Sequence, residues 1–240
     1  MKKLLLTFLL SVFITLGLSA RTFVLVTGVS NYDNENANLT QTTKDAKRFK
    51  EVMETQTKDI TILTSRNVTR ANVLEKLSAI CNRAEEGDQV IFFYSGHGTT
   101  GALCGYDRNI TYKSITDLLS QSKASQKICF IDACHAGSVA DNEVNESWTD
   151  DVKAKKDMAF FVSCRGDETS AESAFIGAGY FTQALLKGIR GKSDKNEDRQ
   201  VTVIELFKYI YNDVLQRTNK RQHPQLIAPE SMYDVVVAKW

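Results

Sequence analysis

Apolar residues follow one another along this chain in two alternating rhythms. Short continuous apolar runs occupy 22–29, 59–64, 89–94, 127–132 and 158–163, the pattern of strands buried on both faces. Between them, 43–55 and 69–85 repeat at helical spacing: Ala46, Phe49, Val52 and Met53 share one stripe, and Val73, Leu74, Leu77, Ile80, Cys81 and Ala84 another, with Thr69 placed to cap the second. Further helices are expected near 112–122, 180–190 and 202–217, and a last strand over 233–239. This alternation predicts a single α/β domain, a mostly parallel six-stranded sheet with helices on both faces. The polar stretches 138–157 and 191–200 read as surface loops, the first of unusual length.

The chain opens differently. Lys2 and Lys3 precede an uncharged run of 17 residues, 4–20, that ends in Leu18-Ser19-Ala20, the charged start, apolar centre and small-residue cut of a signal peptide. The run is short of the roughly 20 residues that span a bilayer, and Arg21 leads at once into the first strand. Residues 1–20 are therefore read as a leader, residues 21–240 as the domain, and the product as exported, to the periplasm or beyond, with no membrane contact after the leader is gone. A chain of 240 residues, 42% hydrophobic, has material for a large core, and a net charge of +1 offers no basic field to nucleic acid. Cys81, Cys104, Cys129, Cys134 and Cys164 are odd in number and contain no C-x-x-C pair. At least one thiol stays unbridged, and neither a zinc ribbon nor a thioredoxin motif is present.

Two strand ends carry chemistry. The third strand runs into Ser95-Gly96-His97-Gly98, and the fourth ends in Asp132-Ala133-Cys134-His135-Ala136-Gly137. The carboxyl ends of parallel strands form one edge, where ligands bind, so these turns are expected side by side. A cysteine attacks as its thiolate, and a neighbouring histidine can hold that proton and deliver one to a leaving amine. The glycines beside His97 allow a tight turn, and the Gly98 and Cys134 amides are candidates to cradle an oxyanion. His135 is read as a support residue and His223 as a loop residue.

With these residues in view, Tyr94-Ser95-Gly96-His97-Gly98 followed by Asp132-Ala133-Cys134-His135-Ala136-Gly137 resembles the metacaspase branch of the caspase-like cysteine peptidases. The segments 26–32, 44–46, 162–164 and 179–182 fall in the same order. The resemblance implies a caspase-like three-layer sandwich and a His97–Cys134 dyad needing no third carboxylate. Caspases carry Gln two residues before the nucleophile and cut after aspartate. Asp132 stands there instead; its charge would repel an acidic P1 side chain and attract a basic one, which argues for cleavage after Arg or Lys. The resemblance implies the same and adds Asp45 and Ser95 to Asp132 in the S1 pocket, where two carboxylates suit the forked guanidinium.

The chain departs from the family pattern in two places. Gln41-Thr42 replaces Gly-Cys before the first helix, so one pocket wall differs. Many metacaspases hold calcium in an acidic cluster; Asp141 matches one member, but the stretch 99–112 offers only Asp107. No cofactor is expected to be required, and calcium dependence stays open. Lys153, Lys155 and Lys156 lie in the long loop where relatives are nicked, which suggests self-cleavage. The expected protein is thus a cysteine endopeptidase acting on protein or peptide substrates at Arg or Lys; its oligomeric state is open in the sequence, and the resemblance favours a monomer. The alternatives are a peptidase of other P1 preference, a silent interaction module that keeps the fold, and a thiol redox sensor pairing Cys134 with Cys164.

Overall fold

In the computed structural model the described residues are 20–33, 35–133, 155–164 and 179–240. Strands β1 (Thr22–Gly28), β2 (Ile60–Thr64), β3 (Gln89–Ser95), β7 (Gln126–Asp132), β8 (Met158–Val162) and β10 (Gln225–Ile227) form a six-stranded sheet in the order β10-β8-β7-β3-β1-β2. All neighbours are parallel except β10, which runs antiparallel to β8. The strands of the sheet's centre have no polar face because both faces are covered. Phe23, Leu25, Phe92, Tyr94, Cys129, Ile131, Phe160 and Val162 pack on one side with α2 (Arg70–Arg83) and α3 (Tyr112–Gln121). Val24, Val26, Ile91, Phe93, Ile128, Phe130, Ala159 and Phe161 point the other way, into α1 (Thr42–Met53), α4 (Tyr180–Lys187) and α5 (Val203–Arg217). Phe49 of α1 stacks on Phe93 with ring centroids 4.3 Å apart, a contact whose truncation to Ala costs about 3–5 kcal/mol in cores of this kind.

The helices start where their caps dictate. Thr69 accepts from Asn72 N, as its position suggested, and Thr202 forms a full capping box with Glu205 at the head of α5. The expected last strand is a correction. Val236–Lys239 (β11) does not join the main sheet but pairs with Gln200–Thr202 (β9) as a separate two-stranded ribbon, and β10 is the sixth strand. Three very short strands, β4 (Gly98–Thr99), β5 (Ala102–Cys104) and β6 (Asn109–Thr111), form an antiparallel sheet after β3 that periodicity does not reveal. Among the described residues no helix is long and apolar enough to cross a membrane.

Candidate active site

Parallel pairing brings three strand ends into line. Gly28 of β1 is paired with Ser95 of β3, and Ser95 with Asp132 of β7, while Gly96 N donates to the Asp132 carbonyl at 3.1 Å and Val29 N to the Ser95 carbonyl at 2.9 Å. Against this edge stands the first turn of α1. A Cβ on Gly28 would lie 2.5 Å from the Thr42 carbonyl and 2.7 Å from Ala46 Cβ, so only glycine lets α1 approach closely enough to set Asp45 beneath the strand ends.

Asp45, Ser95 and Asp132 are consequently gathered at one place, all within 2% of full burial. Thr182, in the first turn of α4, donates its hydroxyl to Asp132 Oδ2 at 2.6 Å and its amide at 3.3 Å. Burial pushes the Asp132 carboxyl well above the usual carboxylate range; Thr182 opposes this and the nearby Asp45 adds to it. Asp45 is likewise pushed up by burial, to about 7, against the pull of Arg48 and Lys44. The Arg48 guanidinium is half exposed and 3.7 Å from Asp45 Oδ1, too distant and too wet to satisfy it. Asp45 Oδ2 and Ser95 Oγ are buried with no hydrogen-bond partner among the described residues. Such orphaned atoms are costly unless something else pairs with them.

His97 is held from three sides. Its amide donates to Tyr32 Oη at 2.7 Å, and its ring lies against the Tyr32 ring with centroids 4.9 Å apart. Tyr94 Oη lies 2.7 Å from both the His97 and the Cys104 carbonyls, sharing its hydrogen between them. A Cβ on Gly96 would come within 2.5 Å of the Tyr94 hydroxyl oxygen and 2.9 Å of that of Tyr32, which is why glycine precedes the histidine. His97 Nε2 is 2.8 Å from the Ala37 carbonyl. A carbonyl only accepts, so Nε2 carries a hydrogen and Nδ1 is left for proton traffic. Cys104 N donates to the His97 carbonyl at 2.9 Å, which makes Gly98 and its partner Leu103 a non-hydrogen-bonded pair and turns the Gly98 N–H away from β5.

Cys134, His135, Asp141 and Lys153 lie outside the described residues; in sequence Cys134 directly follows Ala133, whose amide sits 3.2 Å from Ser163 Oγ. Lys155 and Lys156 are not brought to this edge. They precede β8, whose register (Met158 with Lys127, Val162 with Ile131) sets them at the opposite, amino edge of the sheet; Lys155 Nζ binds Ser120 Oγ, and the Lys156 carbonyl accepts from Ser231. Asp107 serves α2, accepting from Arg70 N at 2.8 Å. Among the described residues no group of three or more His, Cys, Asp or Glu side chains is arranged to hold a metal ion. Cys81, Cys104, Cys129 and Cys164 are all thiols, and Cys164 Sγ reaches the Ala133 carbonyl at 3.5 Å. The antiparallel β10 carries the preceding loop with His223 to the carboxyl edge, where Gln222 Nε2 donates to the Ser163 carbonyl at 2.6 Å. Sequence reasoning missed the roles of Tyr32, Ala37, Tyr94 and Thr182. Tyr32, Tyr94 and Thr182 stand within the motif segments, but the Tyr32 and Tyr94 hydroxyls meet backbone atoms, which leave no mark in a sequence, and Thr182 meets the Asp132 carboxylate across 50 residues of chain.

The caspase domain family profile matches residues 21–232. No curated protein matches the chain in sequence. Among solved structures, protein GSU0716 from Geobacter sulfurreducens superposes with a TM-score of 0.64 at 18% identity, over 90% of this chain and 97% of its own. Caspase-1 from Spodoptera frugiperda gives 0.63 at 16% identity, over 92% and 90% of the two chains. The structure of pro-sf-caspase-1 gives 0.57 at 14%, over 87% and 91%. At these identities the structural likeness speaks for the fold alone, and the family match covers nearly all of the chain after Ala20: this protein belongs to the caspase domain family of cysteine peptidases.

Proposed function

We propose that the chain is an exported cysteine endopeptidase that hydrolyses peptide bonds after Arg or Lys, with Cys134 as nucleophile and His97 as its acid–base partner. The observation that carries the specificity is the buried trio Asp45, Ser95 and Asp132, in which one carboxylate oxygen and one hydroxyl have no partner among the described residues. A P1 guanidinium or ammonium supplies the missing donors and the missing charge together. An acidic P1 side chain would add a third carboxyl to two already raised by burial. Selectivity then comes from repulsion as well as attraction, and each desolvated ion contact is worth a few kcal/mol.

In this reading Cys134 attacks the scissile carbonyl as thiolate, the Gly98 and Cys134 amides stabilise the oxyanion, and the protonated Nδ1 of His97 gives its proton to the leaving amine. Water, deprotonated by the same nitrogen, then hydrolyses the thioester. Ala37 and Tyr32 take the place of an orienting carboxylate by fixing the ring's tautomer and its backbone. No step calls on a metal. A histidine so fully positioned favours an active enzyme over a silent interaction module. Cleavage within the long loop at Lys153, Lys155 or Lys156 belongs to the same activity; for the latter two it proceeds between molecules, because they lie at the sheet edge opposite to His97. The leader 1–20 directs the chain out of the cytoplasm, and the folded unit 21–240 acts as a monomer.

The test is hydrolysis of matched fluorogenic peptides ending in Arg, Lys or Asp by wild type and Cys134→Ala, with calcium or with chelator. Turnover of the basic peptides alone, abolished in the variant and indifferent to chelator, is expected. Preference for the Asp peptide would overturn the pocket assignment, and equal turnover by the variant would overturn the nucleophile.

A further inference from the structure

The amino end of β1 carries an arrangement that peptide hydrolysis does not use. Asp88, in the turn before β3, is buried to 3% exposure. The backbone nitrogen of Arg21 donates to its Oδ1 at 2.8 Å, the Arg21 guanidinium meets Oδ2 at 3.0 Å, and the Glu85 amide donates to Oδ2 at 3.0 Å. The Arg21 carbonyl accepts from Gln89 N at 2.8 Å. Arg21 is therefore held by its nitrogen, its carbonyl and its side chain before the first strand begins. Burial opposes charge on Asp88, but the Glu85 and Arg21 amides and the Arg21 guanidinium outweigh it and keep the carboxyl below its ordinary range. A buried carboxylate aimed at a chain nitrogen exceeds what a neutral amide requires; an ammonium in the same place would bring a full opposite charge to that oxygen. Ala20, the residue before, is exposed. With Arg21 and Thr22 it lines an open cleft of about 470 Å³ shared with Gln56, Gln89 and Lys239, so the nitrogen of Arg21 lies at a wet margin where a chain end fits.

We infer that removal of residues 1–20 creates an α-ammonium on Arg21 that forms an ion pair with Asp88 and fastens the first strand, so that the Ala20–Arg21 bond is a maturation site of the fold. The inference rests on the leader reading and not on the peptidase activity. A leader-cleaving peptidase adds water across this bond; Ala20 departs with the new carboxylate, and Arg21 keeps the nitrogen, which takes up a proton. The charged groups around it are the Arg21 guanidinium, Arg83 with its partner Asp59, Glu85 with its partner Lys123, and Lys239 across the cleft. A free α-amine has a pKa of about 8. Pairing with Asp88 raises it, so the ion pair is complete below about pH 8 and is lost as pH rises through the raised value.

The experiment uses the full chain, expressed with its leader in an exporting cell. The mass of the product gives its first residue. Labelling of the α-amine with an amine-reactive reagent, followed on the N-terminal peptide across pH, then gives the midpoint of its deprotonation in native protein, in urea-unfolded protein and in Asp88→Asn. The expected product begins at Arg21, with a native midpoint at least one pH unit above the unfolded one, and Asp88→Asn returns it to the unfolded value. A product that begins elsewhere overturns the inference together with the leader reading. A product that begins at Arg21 with a native midpoint less than one unit above the unfolded one overturns the ion pair alone. The comparison of native with unfolded wild type stands even where Asp88→Asn does not fold.

Discussion

Asp45 shows how a residue's chemistry can be set against the stability of its own fold. Its carboxyl titrates near 3.9 in an unfolded chain and at about 7 when folded. Between those values the folded state binds more protons than the unfolded one, so stability falls as pH rises from about 4 to 7 and the cost stays in place above 7. Asp45→Asn removes that cost: at pH 8 its thermal midpoint is expected to exceed that of wild type, by an amount corresponding to as much as a few kcal/mol, while kcat/KM on Arg peptides falls on the order of 100-fold. Thermal unfolding and initial rates on the same samples check both halves. The same titration gives wild-type kcat/KM an upward inflection near pH 7, since only the ionised pocket attracts a cation, and Asp45→Asn should lack it. His97 offers a complementary case. Tyr32→Phe deletes the acceptor of the His97 amide, and a drop of about tenfold in kcat with KM unchanged is expected, because the pocket is untouched. The strand-end turns proposed to carry the chemistry stood out in the sequence because histidine and cysteine advertise themselves there, and the described residues place His97 at the carboxyl edge beside Asp45, Ser95 and Asp132. Ala37 did not stand out, since any residue has a carbonyl to offer.

The elements were legible wherever they were long. Burial on both faces made the strands of the sheet's centre read as unbroken apolar runs, and the stripes of α1 and α2 marked their buried sides. The misses share one cause: β4, β5, β6 and β10 hold two or three residues each, too few to show a period, whereas the valines near 235–237 looked like a sheet strand and instead closed a ribbon with β9. The close approach of the first turn of α1 to the end of β1 requires glycine at position 28. Gly28→Ala forces Cβ into the Thr42 carbonyl and Ala46, so α1 must move outward. Overpacking of this kind costs about 1–3 kcal/mol, and the displaced Asp45 should lower the preference for basic P1 residues along with the melting temperature. A variant that loses stability yet keeps full selectivity would show that Asp45 does not depend on this contact.

At the scale of the molecule, the parallel sheet separates two sets of chemistry. Its carboxyl edge gathers His97, Asp45, Ser95 and Asp132; its amino edge holds Arg21 on Asp88, the buried Lys127 on Asp157, and the lysines before β8. Fragment formation at Lys155 or Lys156 should thus depend on protein concentration, and purified Cys134→Ala should stay whole until wild type is added. Concentration-independent nicking of wild type at those lysines would contradict this. The most direct test of the account is the P1 panel applied to wild type, Cys134→Ala and Asp132→Asn. Cys134-dependent cleavage after Arg and Lys is expected in wild type, with at least a 100-fold loss of both in Asp132→Asn; cleavage after Asp, or an Asp132→Asn enzyme as fast on Arg as wild type, would contradict the proposed pocket.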